Sequence, residues 1–258
     1  MSAPEPTGWE IAIAVNAAVK GLLGAMGQSG HVCRRAIAVE RYLDTGSGYD
    51  ALCQQIADAI TGIVLGGDTI VVADKVLALA QARIGPAEIL TDPDPKTVNE
   101  ATREALAARW SQACGLPISA THLLLADEYQ GPDGVAAATL GCADHNAAAR
   151  DIAQAIARRT GVVVDVVVSD TDTGLDVLAP LIGTLTIGAT PLGATAGLTL
   201  YECMRCACAA EFVRGHDKGI AIVVCRPAAR CAKRARLGEH RGYAGMLDRH
   251  REGALTYA

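Results

Sequence analysis

Residues 162–170 read VVVDVVVSD, and this stretch decides the fold class. Six valines around one internal aspartate make a β-branched run with a single charge, the pattern of a strand buried on both faces. Strands of that kind belong to sheets covered by helices. The residues just before it supply a helix. Residues 146–159 set Ile152 and Ile156 with intervening alanines on one side, place Arg158 and Arg159 where cations favour the end of the helix dipole, and stop at Gly161. Further out, residues 49–61 carry Leu52, Ile56 and Ile60 at four-residue spacing, Gly66 and Gly67 make a turn, and Asp68 leads into TIVVA at 69–73. The pattern also predicts helices over VLALAQAR (76–83) and 97–114, and strands at 10–15, 122–126 and 219–225. A surface loop is expected over 85–95, where three prolines fall, and a turn over DEYQGPDG (127–134). The expected class is α/β of the α+β type, with mixed sheets packed against helices.

Composition narrows the function classes. Half of the 258 residues are apolar, but one Phe and two Trp leave the core to Ala, Val, Ile and Leu. Base stacking on aromatics is therefore not expected, and nucleic acid is not the expected partner. No apolar run reaches the roughly 18–20 residues of a membrane span, and MSAPEPTGWE lacks the basic start and apolar stretch of a secretory signal. A cytoplasmic protein with no membrane partner is expected. The nine cysteines, an odd number, suit reduced thiols. Cys203, Cys206 and Cys208 include one CxxC spacing, whereas a four-thiolate metal site needs two pairs, so buried helix positions are the favoured reading. Ten of the 23 Lys and Arg, but only four of the 28 Asp and Glu, fall in residues 214–258. That basic tail is either a solvated face or a surface for phosphates and polyanions.

The residues that could carry chemistry come directly after the buried strand. SDTDTGLD (169–176) places Asp170, Asp172 and Asp176 together with the hydroxyls of Thr171 and Thr173. Hard cations such as magnesium or manganese take clustered oxygen ligands on loops, and three carboxylates grouped without a cation would repel one another. The competing reading is a turn whose aspartates cap a following helix. Asp127, Glu128 and Asp133 form a second acidic group, which would either complete a cation site or lie in a solvated loop. Gly67 and Asp68, with Lys75 beyond the strand, offer backbone N–H groups and an ammonium to phosphates, although their spacing is neither a P-loop nor a dinucleotide fingerprint. There is no GxSxG elbow and no HExxH, and nothing pairs His145 or His216 with a nucleophile.

Taken in order, AIAVERYLDTGSGYDALCQQIADAI (36–60), GGDTIVVADKVLALAQAR (66–83), LLLADEYQGPDG (123–134), HNAAARDIAQAIARRTG (145–161), VVVDVVVSDTDTG (162–174) and IGATPLGATAGLTL (187–200) resemble the coenzyme F420-0:gamma-glutamyl ligase family. The likeness spans roughly residues 36–225 of what would be a single ligase-like domain over 1–258, with 226–258 as a basic tail. It implies the family's two-lobed fold and a homodimer. It also implies GTP-dependent addition of glutamate, through an amide bond, to a phospholactyl-flavin acceptor. Magnesium or manganese, and potassium as an accessory monovalent ion, would serve as cofactors. Carried over by position, Asp170 and Thr171 resemble the family's metal-loop pair and Lys75 the lysine of its GDVxVVxxK segment. The set expected at the metal is Asp170, Thr171, Asp172, Asp176 and Asp133; at the nucleotide it is Gly67, Asp68 and Lys75. The chain departs from the pattern where DTGLDV replaces an Arg-rich stretch, where EYQGPDG replaces AGVDxSN, and where Met204 and Arg205 stand near the family's ADEL acids. The expected function is a nucleotide- and metal-dependent amide ligase acting on an acidic small molecule. The alternatives are a non-catalytic, ligand-binding relative and a thiol-based metal protein.

Overall fold

The computed structural model describes residues 33–131, 133–170, 175–179, 183–187, 189–214 and 220–227. The strand expected at 10–15 lies outside them. Among the described residues, ten strands and six α-helices run in the order β1 (Cys33–Val39), α1 (Tyr49–Ala59), β2 (Thr69–Ala73), α2 (Asp74–Ala80), β3 (Ile84–Pro86), α3 (Glu100–Cys114), α4 (Ala120–Leu124), β4 (Asp127–Gln130), β5 (Ala136–Thr139), α5 (His145–Thr160), β6 (Asp165–Asp170), β7 (Leu175–Ala179), β8 (Gly183–Ile187), β9 (Thr190–Ala194), α6 (Leu200–Arg214) and β10 (Ile222–Pro227). Among the described residues no helix is long and apolar enough to cross a membrane.

The mixed α/β class expected from the valine run is what the chain adopts. β6 is an inner strand of a five-stranded sheet ordered β1-β10-β2-β6-β9, parallel to β2 and antiparallel to β9. Val166, Val167 and Val168 are all fully buried, as are Ile70, Val71 and Val72 of β2. Alternation along each strand sends these side chains to both faces of the sheet, so both faces are covered. On one face, Val71, Val167 and Val223 join Cys203, Ala209 and Ala210 of α6 in a single apolar cluster. α5 packs on β6 and β9. Its start approaches β9 so closely that a Cβ on Gly193 would meet the Asn146 nitrogen at 2.8 Å, and the Asn146 side-chain oxygen accepts from the Ala194 N–H at 3.0 Å. Only glycine admits that approach.

Contacts divide the chain into two compact units. The first holds the described residues up to Tyr42, then Cys53–Ala73 and the described residues from His145 onward; the second holds Leu43–Leu52 and Asp74–Asp144. The second unit has its own sheet, ordered β3-β5-β4, and its own apolar cluster of Ile89, Leu106, Ala107, Ile118, Leu123, Ala126, Ala138 and Leu140.

Several expectations need correction here. Residues 122–126 are not a strand, because Ser119 caps a helix. The Ser119 hydroxyl accepts from the His122 N–H, and His122 Nδ1 accepts from the Ser119 N–H, which completes a reciprocal box that overrides the apolar run. Half of the expected turn at 127–134 is strand: β4 pairs with β5, leaving Gly131–Val135 as the hairpin tip. Residues 85–95 are not merely a loop, since β3 and a 3-10 turn (Ala87–Leu90) bury Ile89. The helix over 76–83 ends at Ala80, and Ala82 adopts a left-handed φ of 51° that turns the chain into β3.

Candidate functional site

β2 and β6 are parallel and in register, with Thr69 opposite Asp165 and Ala73 opposite Ser169, so both end at one edge of the sheet. Asp170, the last residue of β6, lies at that edge. On the other flank β9 runs antiparallel with a register shift between Val168 and Ser169, and Asp170 pairs with Thr190. An irregularity at this point bends the strand as it leaves the sheet and re-aims the side chains at its end. Ser169 is fully buried, and its hydroxyl donates to the Asp170 carbonyl at 3.1 Å. Asp170 itself is half-buried. Ligands of open α/β sheets gather outside the carboxyl ends of parallel strands, which is where the chain places this carboxylate.

The expected acidic loop is shorter than its sequence suggests. Ser169 and Asp170 still belong to β6, and Asp176 is already in β7, opposite Thr186. Thr171 and Asp172 lie outside the described residues. Among the described residues, no group of three or more His, Cys, Asp or Glu is placed to hold a metal ion.

The GGD turn has a structural task at the opposite edge. Gly67 has a φ of 85°, a conformation glycine adopts without strain, and its N–H donates to Val163 O. Asp68 is buried, with one carboxylate oxygen accepting from Leu65 N and Arg226 Nη2, each at 2.8 Å, and the other from Arg226 Nε at 3.0 Å. The hydrogen bond from Arg226 to the Asp68 carboxylate, more than their mutual charge, raises the arginine pKa against the effect of burial. Gly67 and Asp68 thus precede β2 while Asp170 ends β6, about 20 Å away at ~3.3 Å per residue of strand. The turn is engaged within the protein, and a phosphate cradle built on it would have to break those bonds.

Lys75, expected beside that turn, has a different partner. Its ammonium donates to Asp127 Oδ2 at 2.5 Å and to the Glu128 carbonyl at 3.1 Å. Two segments singled out separately in the sequence therefore meet within the second unit. Burial pushes the Asp127 carboxyl up, but the Lys75 hydrogen bond and charge, the Glu128 N–H and the charge of Lys96 together hold it below the ordinary carboxylate range. A carboxylate with a depressed folded pKa adds stability above its unfolded pKa and loses that contribution as pH falls through the folded value. In a carbon-detected NMR titration, Asp127 should therefore lose its charge at lower pH in the wild type than in Lys75→Gln. Asp133, placed in the metal set, sits exposed at the hairpin tip, where Oδ1 accepts from Val135 N at 3.2 Å. That bond explains an aspartate there without a cation.

The network around Arg83 was not anticipated. Its guanidinium is buried and donates from Nε to Gly141 O at 2.6 Å, from Nη2 to Pro117 O at 2.9 Å, and from Nη2 to His122 Nδ1 at 3.2 Å. Since His122 Nδ1 also accepts from Ser119 N, the ring proton belongs on Nε2, which faces Cys142 O at 3.1 Å. Nearby, buried Asp74 accepts from Cys142 N at 3.0 Å. No local motif marks these residues, because their partners are backbone groups brought close only by folding.

The cysteines behave as core. Cys203, Cys208 and Cys225 are buried, and Cys225 Sγ donates to the Cys206 carbonyl at 3.6 Å. Burial, with the charge of Cys206 and Glu211, pushes the Cys208 thiol up to about 12. Burial first, then nearby charges, raises Cys203 well above the usual range. At pH 8 a thiol at about 12 is ionised in roughly one molecule in 10⁴. Cys208 should therefore resist maleimide in the native protein and react at once on unfolding, as mass spectrometry would read. Cys208→Ala should cost on the order of 1 kcal/mol of packing. Stoichiometric zinc or iron in the purified wild type, lost in that variant, would refute the core assignment.

No protein-family model matches the chain, and no curated protein matches it.

Proposed function

We propose that the protein is a nucleotide- and metal-dependent carbon–nitrogen ligase that joins an amino acid such as glutamate to an acidic small molecule. The observation behind this reading is the place of Asp170, at the edge where parallel β2 and β6 both end, beside buried Ser169 and a register shift. It is the edge at which open sheets hold ligands, and Thr171 and Asp172 come next in the chain. Asp170, Thr171, Asp172 and Asp176 would supply oxygen ligands to magnesium or manganese. A cation held there would neutralise phosphate oxygens. Lys75 is assigned to the nucleotide phosphates by its resemblance to the family's lysine.

In such a reaction the acceptor carboxylate attacks the terminal phosphorus of GTP or ATP. An acyl phosphate forms and the nucleoside diphosphate leaves. The amine then attacks the acyl carbon, loses a proton and expels inorganic phosphate. Purified protein with magnesium or manganese should release phosphate only when both a carboxylate acceptor and an amine are present, and F420-0 with L-glutamate is the first pair to test. Binding of nucleotide and metal without phosphate release from any pair would favour the non-catalytic relative, to which the Met204 and Arg205 positions also point.

A further inference from the structure

We propose that Asp127 is a built-in competitor for Lys75, which a phosphate-bearing ligand must displace in order to bind. The inference deepens the ligase reading, since it concerns the lysine assigned there to the nucleotide. The geometry sets it apart from an ordinary surface pair. Lys75 Nζ is held on two sides, by the Asp127 carboxylate and by the Glu128 carbonyl. Asp127 is fixed in turn, its other oxygen accepting from Glu128 N at 2.9 Å and its carbonyl from the Thr139 hydroxyl at 3.2 Å. The strand β4 therefore presents the carboxylate to the ammonium in a set position, as a bound anion would be presented. Both side chains nevertheless remain 42% exposed, so water and solutes reach the pair. Exposed ion pairs are weak, and an oligophosphate carries several charges against the single charge of Asp127. The ammonium can exchange its carboxylate for a phosphate at little cost, and the charge of Lys96, which also acts on Asp127, favours an incoming anion.

Removing the competitor should tighten anion binding, and removing the lysine should weaken it. The test is calorimetric titration of wild type, Asp127→Asn and Lys75→Gln with GTP and with ATP, each with magnesium, and, separately, with inorganic tripolyphosphate, with thermal melts to show that each variant is folded. Asp127→Asn should bind at least one probe roughly two- to fivefold more tightly than wild type, the worth of one exposed ion pair. Lys75→Gln should bind that probe more weakly than wild type, and the gain should shrink as salt is raised. Equal or weaker binding by Asp127→Asn, with wild type binding either nucleotide, would show that Asp127 positions Lys75 and overturn the inference while leaving the ligase reading standing. A gain seen with tripolyphosphate alone, with neither nucleotide bound, would support the inference and remove the ligase reading. No binding of any of the three probes by any variant would overturn both.

Discussion

Arg83→Ala should lower the stability of the protein by about 3–5 kcal/mol, the scale for breaking a buried charged network by removing one member. The reason lies in what the substitution leaves behind. Gly141 O, Pro117 O and His122 Nδ1 each accept from this one guanidinium, and Arg83 is only 3% exposed. Alanine would leave the buried Gly141 carbonyl without its donor, remove the bonds to Pro117 and His122, and leave the space of the side chain empty. Burial already weighs against the charged form, and desolvation outweighs the charges of Cys142 and Asp74 in lowering the arginine pKa. The network survives because the planar fork holds its donors in a fixed geometry that reaches acceptors on separate segments, which the single ammonium of a lysine does not reproduce. Arg83→Lys should therefore recover only part of the loss in urea denaturation. Full recovery by lysine would mean that charge, not the fork, is what the site requires.

The same network shows which features of the fold could be read in advance. β6 and α5 were legible because their signals are local: a run of valines for one, and periodic isoleucines closed by Gly161 for the other. That the sheet is covered on both faces followed from β6, whereas its mixed pairing, parallel only between β2 and β6, did not. The helix Ala120–Leu124 was not legible, since its capping box uses His122 where Glu or Gln is the usual partner, and its apolar residues also suit a short strand. Ile89 and Leu90 are a short apolar pair among prolines and acids, and Ile89 became core only through its tertiary neighbours. Charged residues were the hardest to assign. Asp68 next to two glycines looks like a phosphate turn until Arg226, 158 residues later, closes on it. Lys75 and Asp127 were each singled out, but nothing in either segment shows that they are partners. Residue type and spacing report what chemistry is possible, whereas the partner that occupies a charge is settled by topology.

Asp170→Asn should suppress phosphate release on the order of 10²-fold or more, the scale for removing one group that stabilises developing charge in an active site. The substitution keeps the size and shape of the side chain, so the Thr190 pairing and the Ser169 hydroxyl's bond to the Asp170 carbonyl should survive. What changes is the charge at the sheet edge. If the carboxylate serves the fold, its loss should appear as a lower melting temperature with or without added metal. If it serves a cation, the melting temperature without metal should hold or rise, because a carboxylate kept for a cation is one the fold does not need. The stabilisation conferred by manganese should then disappear in the variant, since a ligand that binds only the folded state raises stability in proportion to its occupancy. Titration calorimetry with manganese reads the same difference directly. Unchanged manganese affinity in Asp170→Asn and in Asp170→Ala would remove Asp170 from the metal site, and with it the observation on which the ligase reading rests.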